Sequence, residues 1–209
     1  HNCSFELWGE SYLVGNTQTL VLSGNELTGP IPPEIGNFIN LTTLDLGNNR
    51  LIGGIPTEIG NLTNLTTLNL RNNLLTGEVP SEIGNLINLT TLDLRYNQLE
   101  GSIPEEICNQ GDNYPELGHN QFCPPYPSCI GDNIGVQDTS NCPIELWGKI
   151  YSIEDTYTLL LNSDELSGPI PPEIGNLVNL THLDLGNNQL IGDIPTEIGN
   201  LINLVNIDL

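Results

Sequence analysis

Leucine and isoleucine recur along the chain in a fixed pattern of apolar and polar positions. Leu44 and Leu46 flank Asp45, which is the alternation of a strand that buries one face. The pattern begins again every 24 residues without gaps, at Thr17, Leu41, Leu65 and Leu89. It predicts little α-helix and short parallel strands near residues 42–46, 66–70, 90–94, 158–162, 181–185 and 204–208.

The same pattern predicts which side chains are buried. We expect the core to contain Leu44, Leu46, Leu68, Leu70, Ile59 and Ile83, and we expect Thr43, Asp45 and Asp93 to be exposed. An asparagine at positions 49, 73 and 97 stands where the chain leaves each strand, and its amide can satisfy backbone groups in a tight corner. The following Pro and the later Gly indicate one short 3₁₀ turn.

One repeat reads Leu-x-x-Leu-x-Leu-x-x-Asn-x-Leu-x-Gly-x-Ile-Pro from Leu41 to Pro56. This motif resembles the leucine-rich repeat, and its Gly-x-Ile-Pro ending is similar to the plant-type subclass. The resemblance covers roughly 140 of the 209 residues. It implies an α/β-type repeat fold: a right-handed solenoid with a parallel β-sheet, short 3₁₀ turns and little α-helix. It also implies an extracellular receptor-like or inhibitor-like protein whose concave sheet presents the ligand face.

A longer period divides the chain into two modules. The segment Asn-Cys-x-x-Glu-Leu-Trp-Gly at residue 2 returns 139 residues later, at residue 141. We predict a first module over residues 1–141, with an N-terminal cap over 1–16, four repeats over 17–112 and a Cys- and Pro-rich closing cap over 113–141. A second, incomplete module follows over residues 142–209.

The charge of the chain limits its partners. Four Lys and Arg residues stand against 26 Asp and Glu residues, a net charge of −22. Such an excess repels nucleic acid and anionic membrane surfaces, and no apolar run is long enough to span a bilayer. Five cysteines suit an oxidising compartment. We therefore predict an extracellular or cell-surface protein with no cofactor, whose partner is a protein, a glycan or another copy of itself.

The cysteines of the closing cap allow two interpretations. Cys108, Cys123 and Cys129 together with His119 invite a zinc site, but no Cys-x₂-Cys pair is present. We favour disulfides and predict no metal. Two disulfides of open connectivity are expected among Cys108, Cys123, Cys129 and Cys142. Cys3 then has no partner within the chain.

The outward side chains of the predicted strands form the candidate ligand surface. Threonines repeat at one outward position, and acidic or amide side chains repeat at the next. The predicted ligand-binding residues are Asp45, Arg71, Asp93, Arg95, Tyr96, His182 and Asp184. The alternative is that these are only well-solvated strand residues and neighbouring charges. A regular threonine ladder is also a feature of ice-binding surfaces, but the interleaved Asp and Arg argue against that function.

Two other repeating features have simple structural explanations. A glutamate ladder at Glu34, Glu58, Glu82, Glu106, Glu173 and Glu197 could bind calcium, but each acid begins a helical turn, where backbone amides favour negative charge. Sequons occur at Asn2, Asn40, Asn61, Asn64, Asn88 and Asn179. They predict glycosylation only in a host that has the machinery.

No catalytic motif is present, so we predict a protein that is not an enzyme. The first hypothesis is a scaffold that binds a ligand on its concave sheet. The second is a structural subunit that assembles head-to-tail through the uncapped C-terminal edge. In that case Ile207 and Leu209 would meet Trp8 of a neighbouring copy, and Cys3 could make the contact covalent.

Overall fold

The computed structural model describes residues 4–139 and 142–209. Backbone contacts divide the chain into two compact units, His1–Asp138 and Thr139–Leu209, close to the predicted start of the second module. The regular elements of the described residues are β-strands and 3₁₀ helices, with no α-helix among them.

The described part of the first unit contains eleven strands and five 3₁₀ helices. The strands are β1 Ser4–Leu7, β2 Glu10–Leu13, β3 Thr19–Val21, β4 Thr28–Gly29, β5 Thr43–Asp45, β6 Arg50–Gly53, β7 Thr67–Asn69, β8 Leu74–Gly77, β9 Thr91–Asp93, β10 Gln98–Ser102 and β11 Gln121–Cys123. The 3₁₀ helices are η1 Pro33–Asn37, η2 Thr57–Asn61, η3 Ser81–Asn85, η4 Glu105–Asn109 and η5 Gly131–Ile134.

The second unit repeats the same order over a shorter length. Its strands are β12 Pro143–Leu146, β13 Lys149–Ser152, β14 Thr158–Leu160, β15 Ser167–Gly168, β16 His182–Asp184, β17 Gln189–Leu190 and β18 Asn206–Asp208. Its 3₁₀ helices are η6 Pro172–Asn176 and η7 Thr196–Asn200.

Each 24-residue repeat forms one coil, and the strands of successive coils pair in parallel. The first sheet has the order β3-β5-β7-β9, and its register places Leu20, Leu44, Leu68 and Leu92 side by side. In the second unit β14, β16 and β18 pair in the same way. The predicted strands and the leucine-rich repeat solenoid are therefore confirmed.

A second parallel sheet was not predicted. It runs in the order β11-β10-β8-β6-β4 in the first unit, and β15 pairs with β17 in the second. These strands lie in the Leu-x-Gly part of each repeat, where a glycine with positive φ, such as Gly53 at 75°, ends the strand. The sequence signal there reads as a turn because the strands contain as few as two residues.

The leucines and isoleucines of all coils fill one continuous core in the first unit. All six predicted core residues are fully buried, at 0% exposure. Two of the three residues predicted to be exposed, Thr43 and Asp45, are half-buried. The third prediction was wrong, since Asp93 retains only 7% of its accessible surface. Arg95 covers its carboxylate and pairs with it.

A ladder of buried asparagines joins each coil to the coil before it. The Oδ1 atom of Asn73 accepts a hydrogen bond from the amide of Leu51, at 3.0 Å. Its Nδ2 group donates to the carbonyl oxygens of Leu46 and Leu70, both at 3.0 Å. One side chain therefore satisfies backbone groups of its own coil and of the preceding coil. The same arrangement recurs at Asn49, Asn97, Asn120 and Asn188.

Glycines in the 3₁₀ helices allow the coils to approach closely. A Cβ atom added to Gly60 would lie 2.6 Å from the Cβ of Glu82 and 2.7 Å from its carbonyl oxygen. Gly36, Gly84 and Gly175 meet the next coil in the same way. The Glu-Ile-Gly-Asn motif thus places a glycine at a contact that no larger residue fits.

A paired hairpin opens each unit. Strands β1 and β2 are antiparallel, and so are β12 and β13. Trp8 and Trp147 occupy the turns with φ of 50° and 49°. Trp8 packs half-buried against the core of the first unit. It covers core leucines, as expected of a cap.

Replacing Asn73 with Ala should lower the free energy of unfolding by about 3 kcal/mol, because several buried backbone groups lose their partner. Urea denaturation followed by circular dichroism measures this change. Asn61→Ala is the control, since Asn61 is exposed and no side-chain hydrogen bond to it occurs in the described part of the chain; its effect should stay within about 0.5 kcal/mol. Equal losses from the two variants would contradict the role of the ladder.

Replacing Gly60 with Ala should cost about 2 kcal/mol, because the added methyl group meets the backbone of the next coil. The matched control is Gly199→Ala in η7, since a Cβ atom at Gly199 meets nothing within 4 Å. Thermal unfolding of the two variants and the wild type measures the difference. A similar melting point for both variants would show that the coils separate easily.

Candidate binding surface

The outward side chains of β3, β5, β7 and β9 form two columns that we call the strand face. The first column contains Thr19, Thr43, Thr67 and Thr91, and the second contains Val21, Asp45, Asn69 and Asp93. Parallel pairing holds the members of each column about 4.8 Å apart. The surface is therefore a regular array set by the sheet.

The second column also holds the turns that follow the strands. Oδ1 of Asp45 accepts a hydrogen bond from the amide of Gly47 at 3.0 Å, and Oδ1 of Asn69 accepts one from the amide of Arg71 at 3.1 Å. Local bonds of this kind are typical of Asx turns. These side chains therefore have a structural role that limits what they can offer a ligand.

Arg95 is held in place by two carboxylates. Its Nε donates to Oδ1 of Asp93 at 3.0 Å, and its second terminal nitrogen contacts Oδ2 at 2.8 Å. The other terminal nitrogen lies 3.2 Å from a carboxylate oxygen of Glu116. The hydrogen bond to Asp93 raises the pKa of Arg95 above its ordinary value. The guanidinium of Arg95 therefore has its nitrogen donors paired with carboxylates of the protein.

Arg71 occupies the equivalent position one coil earlier and is not held. It is exposed, and within residues 4–139 and 142–209 no carboxylate lies within ion-pair distance of its guanidinium. Arg71 follows β7, which ends in Asn69, whereas Arg95 follows β9, which ends in Asp93. Arg71 therefore has no acid on its own strand. It presents a full positive charge to solvent.

A third column runs beside the two columns of the strand face, at the residue that precedes each ladder asparagine. Asn48, Asn72, Tyr96 and His119 all have a left-handed backbone, with φ between 53° and 59°. Asn72 donates from Nδ2 to Oδ1 of Asn48 at 3.1 Å. The rings of Tyr96 and His119 stack with centroids 4.2 Å apart and an interplanar angle of 9°. Asn48, Asn72 and His119 were not among the predicted ligand-binding residues, although each precedes a repeat asparagine.

A cleft of about 310 Å³ lies where these columns meet, lined by Asn48, Arg71, Asn72, Arg95 and Tyr96. Three of the predicted binding residues, Arg71, Arg95 and Tyr96, therefore lie together. Tyr96 keeps 53% of its surface exposed. Two guanidinium groups, one aromatic ring and two side-chain amides line this space.

The predicted residues of the second unit have local partners. Oδ1 of Asp184 accepts hydrogen bonds from Asn162 and from the amide of Gly186. Nδ1 of His182 lies 2.9 Å from the hydroxyl of Thr181. His182 and Asp184 are half-buried on β16.

The cysteines of the closing cap are in disulfides. Cys108 and Cys129 are joined directly, and Cys123 and Cys142 are each disulfide-bonded. Within the described ranges, no group of three His, Cys, Asp or Glu side chains is placed to hold a metal ion. Cys3 lies outside the described residues. Burial in the same cap raises the pKa of Tyr126, whose hydroxyl donates to the carbonyl of Phe122.

Most sequon asparagines are engaged in the fold. The Nδ2 groups of Asn40, Asn64, Asn88 and Asn179 each donate to a backbone carbonyl of the preceding coil, at 2.8–3.1 Å. Asn61 makes no such bond among the described residues and lines a wide, uncharged groove beside η1, η2 and η3. Asn2 lies outside the described residues.

The C-terminal coil leaves apolar side chains accessible. Ile207 and Leu209 are 49% and 45% exposed. Strand β18 pairs with β16 along one edge. Head-to-tail association through this edge stays a prediction.

None of the helices in residues 4–139 and 142–209 has the length and hydropathy needed to cross a bilayer.

Family models identify the repeat. One leucine-rich repeat model matches residues 39–99, and another matches residues 16–38 and 179–201. These matches cover just over half of the chain, which therefore belongs to the leucine-rich repeat family, with repeats of the plant type. A comparison with curated proteins finds no match.

Solved structures show the same fold. The Arabidopsis receptor kinase HAESA, in complex with the peptide hormone IDA and the co-receptor SERK1, is 33% identical over 92% of this chain, with a TM-score of 0.51. This chain spans 30% of the HAESA chain. A chain of the Arabidopsis thaliana BIR3–SERK2 complex is 33% identical over 57% of this chain and 66% of its own, with a TM-score of 0.51.

A plant ice-binding protein also has this fold. It is 26% identical over 92% of this chain and 65% of its own, with a TM-score of 0.51. Plant repeat proteins of different functions therefore share the architecture of this chain.

Replacing Arg95 with Ala should lower the free energy of unfolding by about 2 kcal/mol, because the buried carboxylate of Asp93 loses its partner. Arg71→Ala removes the same charge from the equivalent position of the preceding coil and should change stability by less than about 0.5 kcal/mol. Urea denaturation compares the two variants. If Arg71→Ala were the more destabilising, the assignment of the clamped and the free arginine would be wrong.

Proposed function

We propose that this protein is a non-enzymatic extracellular scaffold that binds a protein or peptide on the strand face of its first unit, with Arg71 as the anchor. The observation that carries the proposal is the exposed guanidinium of Arg71 in a cleft beside Tyr96, with no carboxylate of the described residues paired to it. Stacked repeats create extended surfaces that suit interaction with other chains.

The comparisons support a protein or peptide partner. HAESA is solved with a peptide hormone and a co-receptor, and BIR3 is solved with SERK2. The disulfides of the closing cap agree with an extracellular location. Transfer of this role to the present chain rests on the chemistry of its own cleft.

The chemistry of Arg71 defines the group that it would bind. A guanidinium offers a planar set of N–H donors that suits a carboxylate. The net charge of −22 repels polyanions, so the ligand combines one accessible carboxylate with a neutral or basic remainder. Arg95 has its donors on Asp93 and Glu116 and supports the wall of the cleft.

Ice binding fits the surface less well. The threonine column is regular, but Asp45 and Arg71 lie beside it on the same side of the coils. Charged groups hold their own hydration water, which opposes close contact with an uncharged lattice. We therefore place the protein or peptide ligand first.

Panning a random peptide library on the immobilised protein tests the proposal. Peptides retained by the wild type should bind Arg71→Gln at least about fivefold more weakly, because they lose a charge-assisted contact. Arg50→Gln removes the same charge from β6 in the second sheet and should leave binding unchanged, as should Glu58→Ala in η2. Equal losses from Arg50→Gln and Arg71→Gln would mean that only net charge matters and would remove the proposed site.

A further inference from the structure

The column of left-handed residues contains a break. Asn48 donates to the hydroxyl of Ser23, which precedes the left-handed Gly24, at 3.3 Å, and Asn72 donates to Oδ1 of Asn48 at 3.1 Å. The next coil carries Tyr96 in place of an asparagine. The ladder of amides therefore ends at Asn72.

The side chains on the two sides of the break have their partners in opposite directions along the solenoid. Asn72 is bonded toward Asn48 in the preceding coil, and Tyr96 is stacked on His119 in the following coil. No described residue donates a hydrogen bond to Oδ1 of Asn72. The 310 Å³ cleft occupies this gap, and its wall includes the exposed ring of Tyr96.

The cleft thus presents three groups to a ligand. Among the described residues, no donor reaches Oδ1 of Asn72 and no carboxylate pairs with the guanidinium of Arg71. The ring of Tyr96 is a flat apolar face. In an unbroken ladder, a side-chain amide from the next coil would donate to Oδ1 of Asn72, as Asn72 donates to Oδ1 of Asn48. The missing member of the ladder is a carboxamide.

Several other side-chain groups match only part of this set. A carboxylate satisfies Arg71 but has no N–H for Oδ1 of Asn72. An aliphatic side chain covers the ring but leaves the acceptor of Asn72 desolvated and unpaired. A cationic donor is repelled by Arg71, and an indole N–H has no acceptor to offer the guanidinium. A primary carboxamide is flat, donates through nitrogen and accepts through oxygen.

We infer that this cleft recognises a primary carboxamide, the side chain of an Asn or Gln in the bound peptide. Its N–H donates to Oδ1 of Asn72, and its plane lies against Tyr96. Its oxygen accepts from one N–H of Arg71, whose remaining donors bind the carboxylate of the ligand. The ligand completes the ladder that the protein leaves open. This inference rests on the proposed function and names the residue type that the site selects.

Three variants separate this recognition from general binding. Asn72→Gly removes the acceptor and keeps a backbone that tolerates positive φ. Tyr96→Asn supplies the missing amide from the protein itself and should displace the ligand's carboxamide. Asn187→Gly is the control, since Asn187 also has a left-handed backbone and donates to Oδ1 of Asn162 in the second unit. Circular dichroism confirms that each variant is folded.

The experiment pans the random peptide library on the wild type and then takes one retained peptide that depends on Arg71. Asn or Gln should be enriched at one position of the retained peptides. Replacing that residue with Leu should weaken binding to the wild type and to Asn187→Gly at least about tenfold, because the acceptor of Asn72 is left unpaired. The same replacement should cost clearly less on Asn72→Gly, where only the contact to Arg71 is lost, and should change binding to Tyr96→Asn by less than about twofold.

The outcomes distinguish the two proposals. Peptides that need Arg71 but carry no Asn or Gln leave the proposed function standing and overturn the carboxamide inference. An equal loss on the wild type and on Asn72→Gly overturns it as well. A library that yields no peptide dependent on Arg71 removes the proposed function and this inference together.

Discussion

The buried asparagine ladder is the constraint on which the rest of the structure depends. A coil of 24 residues cannot satisfy its own backbone at the corner where it leaves the sheet, and the amide of Asn73 supplies bonds to two coils at once. This fixes successive coils at the spacing of paired strands, about 4.8 Å. At that distance the 3₁₀ helices nearly touch, which is why Gly60 and its equivalents have no room for a side chain.

The same constraint creates the candidate site. Each ladder asparagine follows a residue with a left-handed backbone, and asparagine adopts that conformation readily. Asparagine fills this position at residues 48 and 72, whereas the aromatic Tyr96 and His119 hold the same left-handed conformation in the next two coils. Tyr96 and His119 stack on each other, and no described residue donates a hydrogen bond to Oδ1 of Asn72. This local departure from the repeat opens the cleft. The clamp of Asp93 and Glu116 on Arg95 makes Arg71 the free cation of that cleft among the described residues.

The sequence predicted the fold because the repeat states the same pattern several times. The strands and all six buried core residues followed from the spacing of Leu and Ile. The second sheet did not, because its strands are short, from the two residues of β4 to the five of β10, and lie around glycines that the sequence pattern marks as turns. The burial of Asp93 was missed since it depends on Arg95 and Glu116, and the latter comes from the irregular closing cap. The role of Asn72 was not predicted because it depends on the next coil, which has Tyr96 in place of an asparagine. A consensus of the repeats does not show such a single departure.

The two opening hairpins give each unit its own reporter. Trp8 and Trp147 are the two tryptophans of the chain, one in each unit. Both indole nitrogens are buried, and no described residue accepts their hydrogen. Indole emission is sensitive to such surroundings, so exposure of either ring on unfolding alters the fluorescence. A chain in which one tryptophan is exchanged for Phe therefore reports the opening of a single unit, and the two complementary chains show whether the units melt together or in turn.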